Sequence, residues 1–231
     1  MSLEKKIEAL HRIYALYDAY TERLSLSCRK FCDHCCTCNL TATGLEVQAL
    51  YRGIPPELRT KIRAAAGRQV KKRRYIPSFT INQAAGRLAE GGDPPEDEEI
   101  LEEPPCPILS ERHCPVYTSR PFGCRCLISE SDCALKGCAC IDSYSMAVNY
   151  LFSQFIEHLD QGGVTGNFSD LLIAMKPSAS SSRPEGSVRE SGFCLLPNLP
   201  IPLLLIPPEH QGRIRPLIDS LHAIVSRALN S

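Results

Sequence analysis

Four cysteines fall within the nine residues CRKFCDHCC, at Cys28, Cys32, Cys35 and Cys36, with Asp33 and His34 between them. A second block carries Cys106, Cys114, Cys124, Cys126, Cys133, Cys138 and Cys140, while Cys38 trails the first block and Cys194 stands apart. Thiolate is a soft ligand suited to zinc and to iron–sulfur clusters. Of the thirteen cysteines, the twelve other than Cys194 are enough for up to three four-thiolate sites. Spacing limits how they can be used. Were CRKFCDHCC one helix, steps of four, three and one residues would put its thiols on a stripe about 100° wide and roughly 12 Å long. A tetrahedral site needs sulfurs converging from different directions at about 2.3 Å from zinc. The segment must therefore fold back as a loop or share its metal with the second block, and at least one site with ligands from both blocks is expected. His34 and His113 could complete a mixed site, or could only hydrogen-bond near a sulfur or face water. Left unliganded, thiols so crowded would be an oxidation hazard.

The elements that must position these residues follow from periodicity. Leu3, Ile7, Leu10, Tyr14, Tyr17 and Leu24 recur at helical steps over 3–24, a helix running up to the first cysteine. Thr43 and Glu46 have capping-box spacing, so TGLEVQALYRG reads as a short helix ended by Gly53. Pro55-Pro56-Glu57 opens another, running to about Arg74 and rich in Arg and Lys. GGDPPEDEEILEEPP at 91–105 reads as an acidic loop, and CPILSERHCPVY at 106–117 as a short hairpin turning at Ser110 to Arg112. Residues 118–141 read as loop, 142–159 as helix, 176–192 as a mobile linker, and 208–229 as a last helix, kinked at Pro216.

Composition narrows the class. A chain of 231 residues with 43% hydrophobic residues can bury a core without crosslinks. Its formal net charge is zero, which removes any global attraction to nucleic acid or anionic membrane. The basic helix at 59–74 could grip phosphates, but the acidic stretch at 93–103 could neutralise it, and only Tyr75 and Phe79 could serve as stacking platforms, so nucleic acid is not the expected partner. The most apolar stretch, LLPNLPIPLLLIPP, is too short and too broken by proline to span a membrane, and the charged N-terminus shows no signal-peptide pattern. A reducing cytoplasm is the expected location, where disulfides rarely persist and cysteines read as metal ligands.

The order Cys-x3-Cys-x2-Cys-Cys, LTATGLEVQAL just after it, and then Cys106-Pro107, Cys114, Tyr117, Arg120-Pro121, Cys124 and Arg125 resembles the YkgJ-like CxxxCxxCC cysteine-cluster family of zinc- or iron-chelating domains. The similarity covers about residues 25–145. It implies a metal-chelating domain and little about reaction. Some relatives, the flagellin lysine N-methylases, join a similar pattern to methyl transfer, for which this chain shows no motif beyond the cysteines. Cys126, Cys133, Cys138 and Cys140 exceed the family's usual eight, which leaves room for a second or third site.

Zinc and iron–sulfur both suit all-sulfur ligation. The surplus of cysteines beyond one closed site, nearly without paired histidines, weighs toward an iron–sulfur cluster, with [4Fe–4S] favoured and Zn the alternative. Four thiolates on Zn²⁺ or on an oxidised four-iron cluster leave a net charge near minus two, which Arg120 and Arg125 can offset. The expected metal ligands are Cys28, Cys32, Cys35, Cys36, Cys106, Cys114, Cys124, Cys126, Cys133, Cys138 and Cys140. The expected fold is mainly α, with helices around a loop-built cysteine centre and at most one short hairpin. Residues 1–160 are expected to form the metal-binding domain and 161–231 a mobile linker with a helical extension packed on it. The function expected is a metal-binding protein with a redox or accessory role and a protein redox or client partner. Alternatives are a zinc-stabilised interaction module and a metal-handling protein. No phosphate loop, Gly-x-Ser-x-Gly or His-Glu-x-x-His is present, so no enzymatic reaction is assigned.

Overall fold

Ser2 accepts the Lys5 N–H and so opens α1 (Leu3–Thr21), which buries Leu3, Ile7, Leu10, Ile13, Tyr14 and Tyr17 along one face. The computed structural model describes residues 2–29, 31–93, 104–177, 181–182 and 193–229; the acidic stretch at 93–103 and the linker at 176–192 fall almost wholly outside them. β1 (Thr41–Thr43) runs straight into α2 (Gly44–Gly53), whose Thr43/Glu46 capping box forms as the spacing predicts. α3 (Pro56–Gln69) begins on its proline and ends before Arg74. α4 (Ile81–Ala89), with a second capping box from Thr80 and Gln83, occupies a stretch for which the sequence reading drew no element. α5 (Phe122–Arg125) and α6 (Cys133–Lys136) are single turns within the cysteine loops. Asp142 then caps α7 (Ser143–Leu159). β2 (Val164–Asn167), α8 (Phe168–Ala174), β3 (Leu196–Pro197) and α9 (Gln211–Leu229) complete the order, with Pro216 inside α9.

The architecture is mainly α, as expected. Its one small sheet among the described residues is antiparallel in the order β1-β2-β3, with Ala42 opposite Gly166 and Thr165 opposite Leu196. It does not lie where a hairpin was expected. Over 106–117 only one bridge forms, Ser110 with His113, closed by Glu111 and Arg112 at positive φ. Pro107 and Pro115 flank that turn and cannot donate to a ladder, so the pairing stops there.

Two apolar clusters hold the molecule. The first joins α1, α7 and α9 through Leu10, Ile13, Tyr17, Leu151, Phe152, Phe155, Ile214 and Leu221, and it takes in Phe122 of α5. The second joins α2, α3 and α8 through Leu50, Tyr51, Ile62, Leu171 and Leu172, with Ile108 and Val116 from the cysteine loops. The boundary expected at residue 160 falls inside this body. Asp160 is fully buried, β2 is the middle strand, and α9 packs on α1 and α7. No helix among the described residues is long and apolar enough to cross a membrane.

Two cations of the basic segment serve the fold. Arg63 Nη1 donates to the Leu172 and Met175 carbonyls, each at 2.6 Å, and so satisfies the C-terminal end of α8. Arg74 forms a buried pair with Asp170 at 2.6 Å.

Candidate metal centre

The described residues of 25–39 form no helix. The Cys32 N–H donates to the Arg29 carbonyl at 3.0 Å and the Cys36 N–H to the Asp33 carbonyl at 2.9 Å, two successive turns that break the straight stripe of thiols. Phe31, within the first of them, has a φ of 69°, a left-handed conformation rare for an aromatic residue. The chain then runs antiparallel to the start of the second block. The Cys106 N–H donates to the Cys36 carbonyl at 2.7 Å, the Cys38 N–H donates to the Pro104 carbonyl at 2.9 Å, and Thr37 faces Pro105. Backbone bonds thus join the two blocks independently of any sulfur.

Around this seam lie Cys35, Cys36, Cys106, Cys114 and Cys124. A hydrogen bond between the adjacent Cys35 and Cys36 thiols raises the pKa of Cys35 and lowers that of Cys36, which also feels the Cys106, Cys124 and Cys114 sulfurs. Burial, then the Cys106 and Cys114 sulfurs, push Cys124 well above an ordinary thiol. Cys106 and Cys114 are both raised chiefly by burial. Thiols that oppose one another's ionisation in this way are deprotonated outright once a metal supplies the positive charge.

Each of these cysteines is held by a packed neighbour. Ile108 and Val116 anchor the Cys106–Cys114 turn in the second core. Phe122 anchors Cys124: its ring lies edge-on to Tyr17 at 4.8 Å, and its N–H donates to the buried Glu46 carboxylate at 2.6 Å. The same carboxylate accepts from Tyr14 Oη at 2.8 Å and from the Thr43 N–H at 2.7 Å, so one side chain ties α1, α2 and α5 together. Gly123 lets α5 lie against β1, since a Cβ there would stand 2.6 Å from the Thr41 carbonyl oxygen. Sequence reasoning had given Glu46 only its capping role, and Phe122 and Gly123 none. The partners that explain them are brought together only by the fold.

The two arginines part company. Arg120 partly offsets the upward shifts that the Cys36 hydrogen bond gives Cys35 and that burial gives Cys114 and Cys124; its guanidinium lies 3.8 Å from the Tyr117 ring centroid, and its buried Nε has no hydrogen-bond partner. Arg125 was expected to face the thiolates as well. Instead its Nη1 donates to both oxygens of Asp18 at 3.0 Å, its Nε to the Arg120 carbonyl and its Nη2 to the Thr118 carbonyl, while it lies over Tyr14. Buried beneath α1, Arg125 fastens the loop that carries Arg120.

The remaining cysteines divide. Cys126 is pushed up to about 12, chiefly by burial; it packs on the first core, and its carbonyl accepts from Asn149 Nδ2 at 3.1 Å. Cys28, Cys32 and Cys133 line a separate cavity. The Cys140 N–H and carbonyl bond to the 129–130 backbone segment and the Ser129 hydroxyl, whereas Cys138 is exposed beyond α6. Cys38 is buried with its thiol on Asn39 Oδ1, and Cys194 is exposed just before β3, with its carbonyl near Gly166. His113 lies by Phe31, with ring centroids 6.4 Å apart.

Among the described residues no three His, Cys, Asp or Glu side chains already stand as a finished metal-binding group. The donor chemistry nonetheless fits a thiolate-bound centre: sulfurs from both blocks lie within electrostatic reach of one another, and an unpartnered buried guanidinium N–H lies beside them. The chain matches no family model, no curated protein and no solved structure.

Proposed function

We propose that the chain is a metal-binding protein carrying an iron–sulfur cluster, with [4Fe–4S] as the favoured form, on thiolates of both cysteine blocks, and that it serves a redox or accessory role. The candidate ligands are drawn from Cys35, Cys36, Cys106, Cys114 and Cys124. The observation that carries the reading is Arg120. A buried guanidinium N–H without a partner costs free energy unless an anion meets it. The Arg120 charge opposes, without overcoming, the burial and neighbouring thiols that raise Cys35, Cys114 and Cys124. A four-thiolate cluster supplies that anion, and when bound it provides a one-electron couple. The resemblance to the CxxxCxxCC family and the surplus of cysteines support the same reading. A reducing cytoplasm and a protein redox or client partner are the setting that suits it.

The test is the content of iron, zinc and acid-labile sulfide per chain after anaerobic preparation. Iron and sulfide together, with broad visible absorption lost in Cys124→Ser, are the expected result. Zinc alone, with no sulfide, replaces this reading with the zinc-stabilised interaction module. Arg120→Gln should lower the midpoint potential of the centre, because removing a nearby positive charge disfavours the more negative reduced state.

A further inference from the structure

We propose that the groove between α7, α9 and the proline-broken strap at 199–207 binds an aliphatic monocarboxylate, its hydrocarbon chain laid along the groove and its carboxylate met by the His158 and His222 imidazoles. The groove holds about 580 Å³, within the roughly 300–1,000 Å³ that small-molecule sites occupy. Pro200, Pro202 and Pro207 keep the strap out of regular structure, so side chains of α7 hold it instead. The buried Gln154 donates from Nε2 to the Leu203 carbonyl at 2.7 Å and accepts the Leu205 N–H on Oε1 at 2.8 Å, while the Ile201 N–H donates to His158 Nδ1 at 3.2 Å. One wall of the groove is thus fixed by bonds that no ligand has to make.

The lining says what the occupant must offer. Phe155 of α7, Ile218 and Val225 of α9, and Leu204 and Ile206 of the strap give it an apolar floor. The ionisable side chains along it are Arg215, His158 and His222, and no carboxylate lines it among the described residues. His158 accepts on Nδ1, so its neutral ring carries the proton on Nε2, which has no partner among the described residues. Burial, and then the neighbouring His222, hold His158 below the ordinary imidazole range and so keep that neutral form. His222 stands edge-on to Phe155, ring centroids 4.9 Å apart, and makes no hydrogen bond among the described residues. Arg215 lies on the same stripe of α9, about two turns before His222; its partner Asp219, at 3.2 Å, shares its exposure to water, so the pair leaves most of the positive field at the rim. A small hydrophilic anion would leave the apolar floor wet, and a hydrocarbon without a charged end would leave both imidazole donors unmet. A carboxylate on an aliphatic chain satisfies both.

The experiment is calorimetric titration of the full chain, prepared anaerobically, with octanoate, octanol and acetate, each below the concentration at which it aggregates. Octanoate should bind at about one per chain, and octanol and acetate at least about tenfold more weakly. His158→Asn keeps an acceptor for the Ile201 N–H, and His222→Leu replaces an exposed ring, so both leave the strap in place. Each should weaken octanoate by about tenfold and leave octanol no weaker. Arg215→Gln should cost about threefold, an effect that high salt removes. Octanol that binds as tightly as octanoate, or variants that weaken both equally, overturns the site. So does a chain that binds no octanoate, including one that sediments as a dimer because a second copy closes the groove. No cysteine lines the groove, so iron and sulfide should be unchanged in all three variants, and the failure of this site leaves the cluster reading standing.

Discussion

Phe122 and Cys124 are two residues apart on one short turn of helix, yet they face regions built on different principles. Phe122 enters a core in which α1, α7 and α9 bury Leu10, Phe152, Phe155 and Leu221 almost completely. Two buried carboxylates inside that body are met: Glu46 accepts from three elements, and Glu157 accepts from Thr80, Asn82 and Leu199, pinning α4 and the segment after β3 onto α7. Cys124 faces the segments 25–39 and 104–142, where regular structure shrinks to two four-residue helices, a three-residue 3₁₀ turn and isolated bridges. There Phe31, Tyr117 and Leu135 stand exposed and the thiols raise one another's pKa. Apolar burial of the kind that stabilises the body is scarce in the loops. On the proposed metal-binding reading, metal–thiolate bonds would add to the loops' order, because such bonds contribute folding free energy directly.

The largest effect should come from taking the metal away. Chelation under anaerobic conditions should collapse hydrogen-exchange protection across 25–39 and 104–142 while α1, α7 and α9 keep theirs. Acid should promote the same loss, because the raised thiols must release protons to bind metal and take them back as the pH falls. Equal loss of protection throughout the chain would show that the two regions are one cooperative unit.

The next two substitutions separate stability from metal content. Phe155 is 1% exposed and contacts His222 edge-on within the body. Phe155→Ala should cost about 3–5 kcal/mol in urea unfolding, with metal per folded chain unchanged. Gly123→Ala should do the reverse. Its new methyl group would meet the Thr41 carbonyl and the Leu40 side chain and push α5 off β1. The cost is smaller, about 1–3 kcal/mol, but Cys124 moves with α5 and the metal content should fall. If Gly123→Ala keeps its metal, α5 does not position the centre.

The same division decides what could be read from the sequence. α1, α2 and α7 carry whole-helix periodicity and capping residues, so they were legible from local pattern. β2, β3 and α8 were not, because two to seven residues are too few to show a period and their pairing is set by contacts distant in the chain. Arg63 and Arg74 sat in a basic helix without a legible role because their partners, the end of α8 and Asp170, belong to those unseen elements. In the cysteine loops, residue type alone marked the chemistry. Spacing left CRKFCDHCC two options, a folded-back loop or a metal shared with the second block, and its described residues form turns. Which sulfur lies near which was not legible, since it depends on the seam between Cys36 and Cys106 and on Phe122.

The smallest effect tests whether the body's own polar groups are as well matched as its packing. Asp160 is fully buried; its Oδ2 accepts from the Leu45 N–H at 3.1 Å and from Asn198 Nδ2 at 2.9 Å, and Lys6 stands 3.7 Å from Oδ1. Burial outweighs these partners and raises its pKa from 3.8 to about 7. Below the lower value both folded and unfolded chains hold the proton. Between the two, the unfolded chain releases it first, so the folded state binds more protons and its stability falls as pH rises from about 4 to 7, by at most about 1.4 kcal/mol per unit. Above that window both states are ionised and the penalty stays constant. Glu157 and Asp170 are raised by burial too and push in the same direction. Asp160→Asn keeps an oxygen for the Leu45 N–H and removes the charge, so it should flatten the pH dependence of urea unfolding without abolishing it, and should leave the variant more stable than the wild type at pH 8. An unchanged slope would mean that Lys6 and the amide donors fully compensate the buried carboxylate, and that in this body polar matching is as complete as packing.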